Sequence, residues 1–278
     1  MSLVNVPADL SSFYPPDYYG VPASRGQLLA IGRFAEAAKL SLVQRFVPKG
    51  RLLEVGPAIG AFLAVAQEAG YEAHAVEMDP DCCAFLEGEL GVSTIRSDDP
   101  ATALADAGSC DVIALWQVIE HLADPRDVVA AAAAALAPGG VLAIAAPNPE
   151  SLQMRLLGAR WAHVDAPRHL HLLPIDTMAR LGAEYGLEVV LETTDDVSAR
   201  GWNLFGWRES VIAMSPHRAL APVLRFAGSV LTVLAMPLER RGRRGATYTM
   251  LLRRPAGDQS SSRSSGARAA NLPPHSRI

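Results

Sequence analysis

The stretch from Leu52 to Phe62 (LLEVGPAIGAF) constrains the fold of this chain more than any other. It has the pattern of a buried strand, a tight turn containing Gly56 and Gly60, and the first turn of a helix. In α/β folds such a unit binds a nucleoside cofactor, because glycine lets the backbone approach the ligand and the helix N-terminus offers free N–H groups. The stretch therefore predicts an α/β protein with a nucleoside-cofactor site.

The rest of the chain extends this α/β pattern. Short apolar runs alternate with helical segments as far as about residue 194, which indicates right-handed crossovers and a mainly parallel sheet. We predict strands over 51–56, 72–77, 93–97, 111–116, 140–146, 187–193 and 246–253. Ser24 is the predicted cap of an N-terminal helix, and two later helices are predicted to begin at Asp124 and near Pro174.

The chain divides into three parts. Residues 1–45 are predicted to form an N-terminal cap and helix, and residues 46–254 the main domain. Residues 255–278 are rich in Ser, Arg and Pro, which predicts a disordered tail. The formal charge of −4 gives no basic surface for nucleic acid, so no nucleic-acid partner is expected. Three cysteines without metal-ligand spacing and a start without signal-peptide features suggest a cytoplasmic protein.

The glycine spacing and two acidic residues bear on the choice of cofactor. A nicotinamide or flavin enzyme prefers G-x-G-x-x-G, whereas this turn has Ala58 between its two glycines. Glu54 lies inside the first strand, where an unpaired charge is costly unless it faces a ligand or the amides of the turn. Glu77 ends the second strand, where a carboxylate can accept both ribose hydroxyls. A nicotinamide oxidoreductase remains an alternative, disfavoured by this spacing and by the lack of a Tyr-x-x-x-Lys pair.

With these residues the sequence resembles the class I S-adenosylmethionine-dependent methyltransferases, and within them the ubiquinone-biosynthesis O-methyltransferases. The matching segments are 53–60 (LEVGPAIG), Glu77, Asp98, 110–122 with its Glu-His-Leu, and 136–140 (LAPGG). The resemblance implies a Rossmann-like sheet of seven strands with the seventh antiparallel and helices on both faces. It also implies S-adenosylmethionine bound across the first turn.

The resemblance further implies a set of cofactor-binding residues. These are Glu54, Gly56, Ala58, Gly60, Glu77, Met78, Asp98, Trp116 and Gln117. Asp98 is preferred to its neighbour Asp99 as the acid that contacts the adenine amino group. Ala58 departs from the usual glycine, and its methyl group narrows the turn. A catalytically silent cofactor-binding module is therefore the first alternative to an enzyme.

In such folds the acceptor meets the cofactor above the carboxyl ends of strands four and five. His169, His171 and His121 are the candidate bases, since histidine removes protons near neutral pH. The candidate substrate-contacting residues are Trp161, Asp165, Arg168 and Asn148. Asp165 and Arg168 could instead pair with each other and hold a loop. No Asn-Pro-Pro-Tyr motif for amine methylation follows strand four, so we expect an oxygen acceptor on a small or lipid-linked molecule.

A metal-dependent variant of this chemistry needs a ligand set that the sequence contains only in part. Some methyltransferases bind a divalent ion through Glu-x-x-Glu-His and a later histidine. Here Glu120 and His121 are present, but the first position is Gln117, which removes one charge and one good ligand. The sequence therefore predicts no metal.

An apolar insertion is predicted at about 200–244, before the last strand. Residues 219–238 approach transmembrane length, but Pro222, Pro237 and Arg225 argue against a spanning helix. Four arginines within 240–244 would suit an anionic membrane surface. We expect an amphipathic or hairpin element at 219–244 that docks on a membrane or covers the acceptor, so the protein could be peripheral on the inner membrane face. The oligomeric state is left open.

Overall fold

The computed structural model describes residues 1–3, 13–15 and 18–256. The predicted disorder of the tail falls almost wholly on 257–278, outside the described residues. The described chain forms one sheet of seven strands in the order β3-β2-β1-β4-β5-β7-β6. The strands are β1 (Arg51–Val55), β2 (Glu72–Glu77), β3 (Ser93–Arg96), β4 (Cys110–Trp116), β5 (Leu136–Pro147), β6 (Glu188–Thr193) and β7 (Thr247–Arg253).

The direction of the strands confirms the predicted fold. β1 to β5 pair in parallel, and β7 inserts antiparallel between β5 and β6. β1 pairs with β2 on one side and with β4 on the other, so the order of the strands reverses at β1. A crevice opens at such a reversal, outside the carboxyl ends of the strands, and ligands bind there. The turn after β1 lies at this point.

Nine helices cover the sheet within the described residues. They are α1 (Arg25–Gln44), α2 (Ala61–Glu68), α3 (Pro80–Gly88), α4 (Pro100–Asp106), α5 (Pro125–Ala135), α6 (Leu152–Leu157), α7 (Ile175–Glu184), α8 (Val197–Ala213) and α9 (Ala221–Glu239). Their starts follow local chemistry: the Ser24 hydroxyl caps α1, and Asp124 caps α5 just before a proline at the first helical position. The sequence therefore determines these helix starts locally.

The core consists of two apolar layers, one on each face of the sheet. Along β1, Leu53 and Val55 pack into the layer beneath α4, α5 and α7, while Leu52 packs into the layer beneath α1, α2 and α3. Side chains of a strand point alternately to opposite faces, and parallel sheets covered on both faces have nearly continuous apolar strands. Glu54 lies on the same face as Leu52, so its carboxyl group points toward the α1–α3 layer.

β5 begins earlier than its sequence suggested. The strand already pairs with Cys110 at Leu136, and the pairing shifts in register between Cys110 and Val112. A Cβ atom at Gly140 would lie 2.9 Å from the carbonyl oxygens of Ala137 and Asp111, so only glycine fits this irregular stretch. The Pro-Gly-Gly sequence signals a break, whereas pairing with β4 extends the strand through it.

Two helices stand between β6 and β7, where the apolar insertion was predicted. α8 and α9 pack against each other as a hairpin and are joined by a short 3₁₀ turn at Arg218–Leu220. α8 also contacts α1 and β7. The hairpin therefore rests on the domain through α8.

Candidate active site

The turn after β1 takes up three left-handed residues in a short distance. Gly56, Ala58 and Gly60 have φ angles of 63°, 50° and 72°. A Cβ atom at Gly56 would lie 2.9 Å from Cγ2 of Val118, and one at Gly60 would collide with Leu86. Ala58 adopts its left-handed conformation at a cost of about 1 kcal/mol, and its N–H donates to Oε2 of Glu77 at 2.9 Å. The alanine is thus compatible with the turn and tied to the end of β2.

Glu77 is held firmly at the end of β2. Its side chain is buried, and it accepts three backbone N–H groups: from Ala58 at Oε2, and from Met78 and Asp79 at Oε1. Oε2 keeps room for one further donor, since a carboxylate oxygen can accept two hydrogen bonds and Oε1 already accepts two. The neighbouring Met78 side chain is 62 % exposed, which leaves an apolar surface free beside the carboxylate. A ribose with an adjacent flat base fits this pairing of groups.

The structure distinguishes Asp98 from Asp99. The Asp99 carboxylate caps α4, accepting from the N–H groups of Ala101 and Thr102 and from the Thr102 hydroxyl. These bonds lower the pKa of Asp99, the Thr102 hydroxyl contributing most. Asp98 is exposed and its carboxylate makes no hydrogen bond within the described part of the chain. Asp98 is therefore the acid left free for a ligand.

We expect alanine substitutions at these two neighbours to have opposite signatures. Asp99→Ala removes a helix cap and should lower the melting temperature, with little change in cofactor affinity. Asp98→Ala should leave the melting temperature unchanged and weaken S-adenosylhomocysteine binding about tenfold, the loss of one charge-assisted hydrogen bond. Thermal melting and calorimetric titration of both variants check this. A loss of affinity in Asp99→Ala alone would reverse the assignment.

Three buried polar atoms around the turn have no hydrogen-bond partner among the described residues. They belong to Glu54 (Oε2), Trp116 (Nε1) and Gln117 (Nε2). Burial, followed by the nearby Glu36, raises the pKa of Glu54 well above its usual range. A buried polar atom left unpaired costs about 1–3 kcal/mol, which a ligand carrying donors and acceptors would remove. These atoms therefore fit the polar groups of a nucleoside cofactor bound at this turn.

α1 brings a charged pair to the same place, which the sequence analysis missed. Lys39 and Glu36 form an ion pair at 2.9 Å that is largely shielded from solvent. The Lys39 ammonium lies 5.4 Å from the centre of the Trp116 ring, whose edge packs on Phe62. The Lys39 charge lowers the pKa of Glu54, against the larger effect of burial. Only its position on the inner side of α1 could have suggested this role.

The 3₁₀ turn after β4 and the loop before α7 bring two histidines together. The rings of His121 and His169 meet edge to face, with centroids 4.7 Å apart. Nδ1 of His121 lies 3.0 Å from the carbonyl oxygen of Arg168, and Nδ1 of His169 lies 2.8 Å from that of His163. A carbonyl only accepts, so each Nδ1 donates and each Nε2 keeps its lone pair.

The charge state of this histidine pair follows from burial. Burial, assisted by the neighbouring His169, lowers the pKa of His121 to about 4. Burial also lowers the pKa of His169, while the Asp165 carboxylate, whose Oδ2 lies 3.9 Å from Nε2, acts in the opposite direction. Both rings are neutral at pH 7. His169, with a carboxylate beside its free nitrogen, is the better proton acceptor.

Glu120 lies beside the histidines in an apolar setting. Both of its carboxyl oxygens are buried without a partner in the described structure, as is the Tyr248 hydroxyl. Burial raises the pKa of Glu120 to about 8, so the carboxyl is largely neutral at pH 7. Donor atoms of Glu120, His121 and His169 lie within 4.8 Å of one another, and this is the one group within the described ranges that could hold a metal ion. The prediction that no metal binds stays untested, and we derive no step from one.

Three residues predicted for catalysis or substrate contact have structural partners in the fold. Nδ1 of His171 lies 2.9 Å from the Ser2 hydroxyl, and its Nε2 lies 3.3 Å from the Ala123 carbonyl. Asn148 is fully buried and donates to the carbonyls of Arg243 and Gly245, fixing the start of β7. Trp161 is buried in a small apolar cluster and donates to Gln153. All three have structural partners where a substrate contact was expected.

Arg168 and Asp165 pair with each other, the alternative left open by the sequence. Their side chains meet at 2.8 Å, about 30 % exposed. The Arg168 guanidinium also lies over the ring of Tyr18, 5.3 Å from its centre. The pair holds the loop that carries His169, because Asp165 sits four residues before it and its carbonyl accepts the His169 N–H. These contacts support a role for Asp165 and Arg168 in positioning His169.

Tyrosines of the N-terminal segment reach the site, although no sequence motif predicts this contact. The Tyr14 hydroxyl lies 3.2 Å from Nδ1 of His121. Burial and the nearby Glu77 raise the pKa of Tyr19. The start of the chain is tied down as well, since the N–H of Leu3 donates to Leu170 and the amino terminus to Leu172. The clustering of Tyr14, Tyr18 and Tyr19 was the only available signal.

With this geometry established, the chain can be compared with known proteins. A family model described as a methyltransferase domain matches residues 31–192, more than half of the chain. The chain belongs to this methyltransferase family. It is 34 % identical over 134 residues to the ubiquinone biosynthesis O-methyltransferase of Hahella chejuensis, covering 45 % of this chain and 56 % of that one. It is 29 % identical over 149 residues to the Bordetella avium enzyme of the same name, a match that covers 50 % of this chain and 62 % of that one.

The chain thus spans little more than half the length of these curated relatives. Among solved structures it is similar to a SAM-dependent methyltransferase from Archaeoglobus fulgidus, with a TM-score of 0.53, 17 % identity, and coverage of 80 % of this chain and 93 % of that one. An O-methyltransferase family protein from Burkholderia thailandensis is also similar, with a TM-score of 0.57 and 15 % identity. That match covers 90 % of this chain and 64 % of the other. Because both structures are less than 20 % identical to this chain, their similarity shows a shared fold and nothing more. Together the findings confirm a class I methyltransferase with S-adenosylmethionine as its cofactor.

Proposed function

We propose that this methyltransferase transfers the methyl group to an oxygen atom of a small-molecule or lipid-linked acceptor. The observation that carries the proposal is His169, a neutral, positioned histidine whose Nε2 is free and lies 3.9 Å from a carboxylate. A hydroxyl acceptor must lose a proton as it is methylated, and a histidine so placed can take it. The curated relatives, which are named as O-methyltransferases, support oxygen as the acceptor atom.

The residues of the turn would bind and orient the cofactor, which supplies an electrophilic methyl group. Glu77, fixed by three backbone N–H groups, would hold the ribose, and Asp98 the adenine amino group. Gln117 follows β4 in a left-handed conformation with φ of 57°, and its buried amide nitrogen, which has no partner among the described residues, could bind the cofactor. Aligning the two reactants is itself a major part of catalysis, since methyl transfer is an in-line displacement.

His169 would remove the acceptor proton at Nε2. The Nδ1–H bond to the His163 carbonyl fixes the ring and its tautomer, and Asp165 stabilises the imidazolium that forms. His121, packed edge to face on the ring, excludes water from this side of it. Tyr14 and Arg168 close the site from the N-terminal segment and the loop.

The decisive experiment pairs an acceptor search with one variant. Purified enzyme and radiolabelled S-adenosylmethionine are incubated with separate lipid and polar extracts of the host, and the labelled product is isolated. We then expect His169→Gln to lower kcat about 10²- to 10⁴-fold, the usual contribution of a positioned base. S-adenosylhomocysteine affinity should stay unchanged.

His171→Gln is the matched control, because the same substitution two residues away removes a ring with structural partners only. It should retain near wild-type kcat. Equal losses in both variants would contradict the assignment of His169. A protein that binds S-adenosylhomocysteine but labels neither extract would favour the alternative of a catalytically silent binding module.

A further inference from the structure

α9 exposes a continuous apolar stripe. Val223, Phe226, Val233 and Leu234 are each 64–71 % exposed, and Val230 is 40 % exposed. Their spacing of three or four residues places them on one side of the helix. α9 is the one helix among the described residues that is long and apolar enough to cross a membrane, with a mean hydropathy of 1.6 and 11 % of that window buried. Monomeric soluble domains rarely expose so large an apolar surface without a partner.

The opposite side of α9 is fixed to the domain. Gly228 packs so tightly on α8 that a Cβ atom there would lie 2.6 Å from Cα of Arg208. Thr232, one turn further on, is also buried. At the helix end the buried Glu239 accepts from the Trp207 indole and the Gln153 amide, at 2.9 and 2.8 Å. The chain then returns to the sheet as β7, so both ends of α9 stay on the same side as the domain.

Basic residues adjoin the end of the stripe. An open cleft of about 610 Å³ directly after α9 is lined by Arg155, Arg241, Arg243 and Arg244, with Glu150 and Asp176. Arg243 is neutralised by Asp176 and Glu192. Arg241 and Arg244 are exposed and form no ion pair within the described ranges. No acidic residue stands between Glu209 and Glu239 in the sequence, so nothing on α9 before its buried end repels an anionic surface.

We propose that α9 lies in the surface of a bilayer containing anionic phospholipid, with its apolar stripe among the acyl chains and Arg241 and Arg244 on the headgroups. A large exposed apolar face followed by free cations is what an interfacial helix requires. A spanning orientation would detach Gly228 and Thr232 from α8 and place β7 across the membrane from its sheet. The docking goes beyond methyl transfer and is independent of it.

Flotation of the full-length protein with vesicles tests this proposal. We expect it to float with vesicles of phosphatidylcholine containing 30 mol% phosphatidylglycerol, in a salt-sensitive manner, and much less with phosphatidylcholine alone. Phe226→Ser/Val233→Ser/Leu234→Ser should lose at least tenfold in partitioning. Arg241→Ala/Arg244→Ala should lose about thirtyfold on the anionic vesicles, from about 1 kcal/mol per arginine near such a surface.

Matched controls separate docking from folding. Phe226→Leu/Val233→Ile/Leu234→Ile keeps the stripe apolar and should float like wild type. Arg45→Ala/Lys49→Ala removes two exposed charges just before β1, at the end of the sheet opposite the cleft. This variant should also float like wild type. All variants should melt within a few degrees of the wild type, because the altered side chains are exposed.

Four outcomes would overturn the proposal. The first is a wild type that does not float with anionic vesicles, and the second is serine variants that float like wild type. The third is a dimer that the serine substitutions dissociate, which would mean that a second copy covers the stripe. The fourth is a membrane-bound protein that resists carbonate extraction, which would mean a spanning helix.

Discussion

Glu77→Ala is expected to weaken S-adenosylhomocysteine binding about 10- to 150-fold. Oε2 has one acceptor position left beside the Ala58 N–H, and a ribose hydroxyl donating to it is worth about 1.5–3 kcal/mol, the usual contribution of a hydrogen bond to a charged group. The same carboxylate accepts the N–H of Ala58, so the substitution also loosens the turn on the other side of the site. Calorimetric titration of wild type and variant measures the loss.

A second variant guards against simple unfolding. Glu77→Asp keeps the charge but withdraws it by one methylene, and we expect an intermediate loss of about threefold, the equivalent of about 0.7 kcal/mol. NADH serves as the control ligand and should bind neither protein. If Glu77→Ala folds, as judged by circular dichroism and melting, and still binds S-adenosylhomocysteine within threefold of wild type, Glu77 does not hold the ribose.

Glu120→Gln is expected to change the pH dependence of stability strongly. Burial raises the pKa of Glu120 from 4.5 to about 8, and the residue's own backbone N–H offsets only part of this rise. Below pH 4.5 the carboxyl is protonated in both the folded and the unfolded state, and it contributes nothing. Between pH 4.5 and about 8 only the folded state retains the proton, so the free energy of unfolding falls as the pH rises.

The size of this effect follows from the two pKa values. At 1.36 kcal/mol for each pKa unit, wild type loses up to about 4 kcal/mol across this window, whereas glutamine has nothing to ionise. The gap between variant and wild type should therefore widen from pH 5 to pH 8.5, by about 2–4 °C in melting temperature for each kcal/mol. Melting curves across this range, on protein dialysed against EDTA, give the measurement.

EDTA is needed because a bound cation would keep the Glu120 carboxylate ionised. Adding Zn²⁺ back provides a further control: stabilisation of wild type but not of Glu120→Gln would show that the histidine pair and Glu120 bind metal, against the sequence prediction. A difference between the two proteins that does not vary with pH would show that Glu120 does not retain its proton on folding.

Much of the fold could be predicted because its signals are local. Apolar runs, Asp-Pro helix starts and the Gly56 turn each act within a few residues of chain, and together they predicted the strands and their order of alternation. The start of β5 could not be predicted in this way. Its first residues extend only because β4 pairs with them through a register shift, and this contact is not local in sequence.

The cofactor half of the site was more predictable than the acceptor half. Glu77 is the last residue of its strand and the topology brings all such strand ends to one crevice, so position along the chain implies position in space. Choosing between Asp98 and Asp99 needed the geometry of the α4 cap. Asn148 also follows a strand end, but its amide group is bound by carbonyls about a hundred residues away, at Arg243 and Gly245.

The sequence by itself determined that this chain is an α/β protein with a nucleoside cofactor at the turn of Gly56 and Gly60, since strand periodicity and left-handed glycine are local properties. Only the tertiary structure decided which polar groups remain free once the chain has folded. It leaves Nε2 of His169 free and binds both nitrogens of His171, and it turns one side of α9 to the domain and the other outward. The reason is that hydrogen bonds and burial are exchanged between segments far apart in sequence, and function depends on what they leave unpaired.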